Sequence, residues 1–346
     1  MKRNYSLDLL KLYFAAAIAV SHAPFGASFP VIASDKIVML FFVLSGFFLV
    51  SSFDSGKYAG AGQYTWRRLT RIYPYYAFAF VASFVYMNLY PGCSVRNAVL
   101  HFFRSLPELF LLNGTGIFSG PLNYPVWHIC CLVMVSHIFF GLLVWNRQLT
   151  LDVICPTLAL VIFSYLTQED AEIWGWQSAF VYLPMVRAVG GIALGMLLNG
   201  PVKKAVRRLE DSTHPAMPAA VTLALVPLLL IFWTNRMTLA LLIPYVGILI
   251  CLLCSKNYCA RLLQKPLLSK LCSGLDRLSL LIYVNHSLIL RPFDKYPQLY
   301  ENLPIPADLV FLAIVIVYSL ITGWLVDWVM SRCIRNKNLN KRQSTV

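Results

Sequence analysis

Residues 36–54 read KIVMLFFVLSGFFLVSSFD, and nothing between Lys36 and Asp54 carries a charge. A helix rises about 1.5 Å per residue, so this stretch is long enough to cross the ~30 Å hydrocarbon layer of a bilayer. Working outward, further apolar stretches occupy 7–24, 73–90, 124–145, 150–167, 179–199, 217–233, 238–254, 277–292 and 306–331, most of them bounded by Pro, Gly or charge. The pattern predicts an all-α polytopic membrane protein of about ten transmembrane helices. Residues 1–332 read as one membrane domain and 333–346 as a basic tail. Composition agrees: hydrophobic residues make up 58% of the chain and charged residues 13%, against about 25% charged in a soluble domain.

The connection 91–123 holds Arg96, His101, Arg104, Pro107 and Glu108 among aromatic and leucine residues, as a re-entrant or interfacial helix would. The formal net charge of +14 does not imply nucleic acid, because the basic residues fall between spans. With the amino terminus inside, the outer connections hold only Lys36, Arg96, Arg104, Arg236, Arg291 and Lys295 of the 29 Lys and Arg. The rest, apart from Arg187 within a span, lie on the inner side, and both termini are expected in the cytoplasm. The nine cysteines mostly sit in apolar runs such as Cys130-Cys131 and have neither zinc nor disulfide-framework spacing. Lys2 and Arg3 before an apolar stretch resemble a signal peptide, but Asp8 and Lys11 interrupt it, so it reads as a retained span.

Ionisable groups inside spans are costly and mark function by default. Lys11 and His22 lie eleven steps apart, about 20° from three full helical turns, so they share a face about 16 Å apart along the axis. Arg187 is followed by Gly190, Gly191 and Gly195, small residues that permit close helix packing around a buried cation needing a partner. Ser279, Tyr283 and His286 share one face of the ninth span. His101, His128 and His137 lack metal-ligand spacing, and no metal is expected. By themselves, isolated intramembrane charges also describe a secondary transporter, although no internal repeat or matching pair of broken helices is visible.

Four elements resemble the acyltransferase-3 family of integral membrane acyltransferases. LDLLKLYFAAAIAVSH (7–22) is similar to the family's first span, where Arg, ten residues and His recur; Lys11 stands at the arginine position. FFVLSGFF (41–48) follows, then Arg67, Arg68, Arg71, Ile72, Tyr73 and Pro74, and finally Ser279, Ile282, Tyr283 and His286. Trp127-His128-Ile129-Cys130-Cys131 lacks the glutamate that follows the tryptophan in many relatives. These departures leave open a non-catalytic partner in glycan export.

The resemblance implies an acyltransferase in the cell (plasma or inner) membrane of a bacterium. It would move an acyl group, acetyl by default, from cytoplasmic acyl-CoA to a hydroxyl of a cell-surface or lipid-linked sugar. No permanently bound cofactor is expected; the partners are acyl-CoA, the glycan acceptor and membrane lipids, without nucleic acid. His22 and His286 are the expected catalytic residues, since imidazole suits proton removal near neutral pH. Lys11, Arg67, Arg68 and Arg71 are expected to hold the donor's phosphates, and Tyr283 and Arg187 the acceptor. Tyr73-Pro74 is expected to open the third span, because Pro suits a first helical turn.

Overall fold

The computed structural model describes residues 4–29, 34–89, 94–113, 115, 122–168, 177–178, 181–231, 242–301 and 303–343. Helices dominate them. The first seven are α1 (Tyr5–Ser21), α2 (Ser34–Asp54), α3 (Ala61–Asn88), α4 (Val95–Leu109), α5 (Trp127–Leu149), α6 (Cys155–Gln168) and α7 (Leu183–Asp211). They are followed by α8 (Met217–Leu223), α9 (Leu225–Ile231), α10 (Leu242–Leu253), α11 (Tyr258–Leu263), α12 (Pro266–Cys272), α13 (Leu275–Lys295) and α14 (Ala307–Gln343). A two-residue antiparallel pairing, Gln177–Ser178 with Val181–Tyr182, precedes α7.

Among the described residues, four helical runs are long and apolar enough to cross a membrane: Ser34–Asp54, Tyr124–Thr167, Leu183–Asp211 and Ala307–Cys333. The second comprises α5 and α6, linked through a non-helical Asn146 (φ −154°, ψ 97°) and a π turn at Thr150–Ile154. The other described helices at the expected spans are shorter or more polar. The expected span 217–233 divides at Ala224 into α8 and α9, because Pro227 is tolerated in a first turn but not in a helix interior. Residues 238–241 and 232–233 of two expected spans lie outside the described residues.

Two boundaries correct the sequence reading. The helix carrying Tyr73-Pro74 starts at Ala61, with Pro74 well inside it. Residues 61–72 fold as helix because they have partners there: the Tyr64 ring stacks on Phe140 at 4.5 Å, and Arg68 reaches across to neighbouring helices. In turn, α1 stops at Ser21, and His22 is its C-cap rather than a residue deep within the span. Pro24 disfavours helical backbone at the residue before it, which ends the element. The last helix crosses residue 332 without a break.

The core centres on α2 and α7, the most closely packed pair. A Cβ at Gly46 would lie 2.0 Å from the Ile192 carbonyl oxygen, and one at Gly195 would lie 1.9 Å from that of Val43. Only glycine admits backbones at this separation. Asn199 adds polar ties from α7, donating to the Phe47 carbonyl (2.7 Å) and to Ser51 Oγ (2.8 Å) on α2. Replacing Gly195 with leucine is therefore expected to force the helices apart at a cost of about 1–3 kcal/mol or more. The check is thermal unfolding of detergent-purified protein; an unchanged midpoint would refute the packing account. A second core joins α1, α13 and α14 through Ala15, Ala19, Ile282, Phe311 and Val315.

Cross-helix bonds sort the helix ends. At one end, Asn4 reaches the Leu252 carbonyl, Lys11 pairs with Asp276, Arg147 with Asp54 and Arg277 with Asp327. At the opposite end, Ser28 bonds Asp308 and Arg291 bonds the Leu122 carbonyl. Apolar side chains such as Ile138, Leu160, Val317, Ile321 and Trp324 point outward, where hydrocarbon can cover them. In α4, Val95, Val99, Phe102 and Phe103 are exposed while Ser105 and Glu108 turn inward.

Candidate active site

Among the described residues, Tyr283 on α13 lines two cavities inside the bundle. The larger, about 590 Å³, opens at the Lys11 end. Lys11, Arg68, Arg71 and Arg277 supply its cations, Asp276 and Asp327 its carboxylates, and Phe41, Ile129 and Leu132 an apolar wall. Lys11 Nζ sits 2.8 Å from Asp276 and 3.9 Å from Asp8. Arg71 pairs with the other oxygen of Asp276. Arg277 pairs with Asp327 at 2.5 Å and donates to the Gly323 carbonyl at 2.6 Å. Four cations against two carboxylates leave the chamber net positive, which favours an anionic ligand.

The arginine cluster divides by helix face. Arg68 turns inward and donates to Tyr64 Oη (2.9 Å), Ser136 Oγ (3.1 Å) and Ser45 Oγ (3.3 Å), tying α3 to α5 and α2. Ser45, beside Gly46 on α2, thus accepts a charged hydrogen bond. Arg71 lies at the mouth, exposed apart from its bond to Asp276. Arg67 is exposed and lines neither cavity; one residue along a helix is a 100° turn, so it cannot share the inward direction of Arg68.

The smaller cavity, about 30 Å³, lies at the opposite end of α1 and is lined by His22, Ser34, Asp35, Trp127, Arg187 and Tyr283, closed by Ile18, Val38, Pro125 and Pro184. His22 and Lys11 therefore face different chambers, although their spacing puts them on one face of the helix. Their separation of about 16 Å along the axis accounts for this, since it sets His22 at the C-cap of α1 and Lys11 near the other end. The His22 ring lies 5.6 Å from that of His286, nearly parallel at 13°, and meets the edge of Tyr124 at 6.4 Å. His286 is fully buried, and its Nδ1 lies 2.8 Å from the Tyr283 carbonyl and 3.3 Å from that of Ile282. Carbonyls only accept, so Nδ1 carries the proton and Nε2 keeps its lone pair.

The segment before α5 holds this end together. Glu108, buried at the close of α4, accepts from the backbone N–H groups of Leu122 (2.5 Å) and Asn123 (2.9 Å). Asn123 donates to the Val284 carbonyl at 2.7 Å, and the Tyr283 hydroxyl donates to the Pro125 carbonyl. Burial pushes the Glu108 carboxyl up, while the two N–H bonds and nearby Arg291 pull it back. The clamp fixes Tyr124, Pro125 and Trp127 against His22 and Tyr283.

Sequence reading missed several of these groups. Arg277 entered only as a charge counted for orientation, and Asp35, Asp276 and Asp327 were not weighed. Lys36, assigned to an outer connection, is fully buried at the start of α2. His128 was weighed only as a metal ligand; it lines the large cavity, packs 4.4 Å from Phe42, and its Nε2 has no hydrogen-bond partner among the described residues. For His128 and Asp327 a polar residue inside an apolar run was the available signal, whereas Asp35, Lys36, Asp276 and Arg277 stand at span boundaries, where a charge is ordinary.

A helical bundle with lipid-facing apolar sides, a cationic chamber and a histidine pair behind a shared tyrosine defines the class as a membrane protein with a polar interior. The chain matches the family model described as an acyltransferase domain over residues 4–328, and it belongs to the acyltransferase-3 family. No curated protein and no solved structure matches it.

Proposed function

We propose that the protein is a membrane O-acyltransferase that moves an acyl group, acetyl in the simplest case, from cytoplasmic acyl-CoA to a sugar hydroxyl of a cell-surface or lipid-linked glycan. In this reading the chain crosses the cell membrane of a bacterium ten times, with both termini inside. The excess of Lys and Arg at the Lys11 end supports that orientation. Acyl-CoA enters the large chamber, where Lys11 and Arg71 meet its phosphates at the mouth and the apolar wall covers the pantetheine arm. Arg68, engaged by three hydroxyls, adds charge from within. The acceptor approaches from the His22 end.

The observation that carries the reading is the shared wall: Tyr283 borders the chamber with the cations and the cavity with His22. His22 removes the proton from the acceptor hydroxyl as its oxygen attacks the thioester carbonyl. The tetrahedral intermediate then collapses, the C–S bond breaks, and the imidazolium returns its proton to the departing thiolate. His286 acts through His22. Its ring is fixed by the Tyr283 carbonyl and lies parallel to that of His22, so it is a positioning residue. The reaction must bring Tyr283 aside or pass the thioester beside it.

The test is mass spectrometry of envelope glycans from cells with and without the gene, paired with transfer of label from acetyl-CoA by membranes holding the full chain. An acetyl increment that disappears with the gene is expected. Identical glycans together with no label transferred would overturn the proposal.

A further inference from the structure

The small cavity contains two opposite charges that do not touch. Asp35, at the start of α2, is 7% exposed, Arg187, at the start of α7, is 5% exposed, and both line it. Each acts electrostatically on the other. Yet among the described residues they form no ion pair within 4 Å, whereas the other end of the bundle has several. Arg187 Nε is buried with no hydrogen-bond partner. A buried guanidinium nitrogen without a partner, facing a carboxylate whose hydrogen bonds among the described residues come only from the backbone at Asp35 and Lys36, is costly, and relief of that cost points to a polar occupant. The separation is not slack, because α2 and α7 are locked at backbone contact by Gly46 and Gly195.

The two charges also define what that occupant can be. The cavity, about 30 Å³, holds a group of roughly one or two water-sized units. A carboxylate or phosphate would satisfy Arg187 but be repelled by Asp35, and an ammonium would meet the reverse. A hydroxyl, of a water molecule or of an alcohol that displaces it, satisfies both, donating to the carboxylate while accepting from the guanidinium. His22 lines the same cavity, so a hydroxyl held there stands beside the proposed base, with Trp127 also in the lining.

We infer that Asp35 and Arg187 form a clamp that selects a neutral, hydroxyl-bearing group, the CHOH or CH2OH of an uncharged sugar, and turns away anionic acceptors. This deepens the acyl-transfer reading and rests on it. Arg187 alone would have suggested an acidic sugar; the carboxylate opposite reverses that choice.

The experiment uses the full chain in lipid nanodiscs and measures retention of radiolabelled methyl glucoside, methyl glucuronide and acetyl-CoA separately. The glucoside is expected to bind roughly tenfold or more tightly than the glucuronide, since juxtaposed like charges are strongly unfavourable. Asp35→Asn removes the repulsion and leaves Arg187 unbalanced, so the preference is expected to invert toward the glucuronide. Equal or stronger glucuronide binding by the unaltered protein, retention of neither sugar, or an Asp35→Asn effect equal on both sugars would overturn the clamp. Acetyl-CoA retention by the variant shows that it has folded; if it has not, the comparison in the unaltered protein decides. If acetyl-CoA is not retained by the unaltered protein while the sugars behave as expected, the acyl-CoA reading falls and the clamp stands. Donor retention with the wrong sugar pattern removes the clamp alone.

Discussion

Alanine in place of His22 is expected to lower acyl transfer from acetyl-CoA by roughly 10²–10⁴-fold, the usual contribution of a positioned general base. Donor binding should persist, because Lys11, Arg71 and the apolar wall lie in the other chamber. Measuring label transfer beside donor retention separates loss of chemistry from loss of folding. His286→Ala should have a smaller effect, since it removes the ring stacked on His22 but leaves the base itself. A His22→Ala protein that transfers label at an undiminished rate would remove this imidazole from the mechanism, and a His286 variant more damaged than the His22 variant would exchange their roles.

Lys11→Ala should raise the donor KM roughly tenfold or more, given about 1.5–3 kcal/mol for a hydrogen bond to a charged group, with kcat changed much less. Lys11 stands 2.8 Å from Asp276, whose other oxygen takes Arg71. Removing the lysine costs a cation for the donor and leaves Asp276 with one fewer partner, so repulsion of the incoming phosphate grows as well. Lys11→Arg keeps the charge and is expected to be tolerated, with a fork that can grip a phosphate through two bonds. Donor titrations of the three proteins under identical salt provide the check. If the alanine variant kept the original donor dependence, phosphate contact at Lys11 would be ruled out.

Some of this was legible in the chain because it follows from local chemistry. The uncharged run 37–53 had to become a membrane-length helix, since each backbone N–H and C=O must be satisfied within its own segment in lipid. Gly190, Gly191 and Gly195 beside Arg187 announced a close helix contact, and α2 meets α7 through three glycines, Gly46, Gly191 and Gly195. Motif order pointed to the family that the match over residues 4–328 establishes. Other features escaped for physical reasons. Pro74 looked like a helix start because sequence cannot show that Tyr64 and Arg68 have partners on α2 and α5 that extend the helix backward. Helical arithmetic placed Lys11 and His22 on one stripe, but it could not show that the interior along that stripe divides into two chambers at Tyr283.

The residue order by itself determined the membrane environment, the helical class, the inventory of costly polar groups and the kinship, because hydropathy and short motifs depend on neighbours along the chain. Only the tertiary structure decided which of those groups face one another. It placed Asp276 between Lys11 and Arg71, sent Arg68 inward and Arg67 outward, and brought Asp35 and Arg187 to one cavity from segments far apart in sequence. The physical reason is that a charge buried in low dielectric is governed by whatever lies within a few ångströms, and helix packing, not chain order, chooses those neighbours.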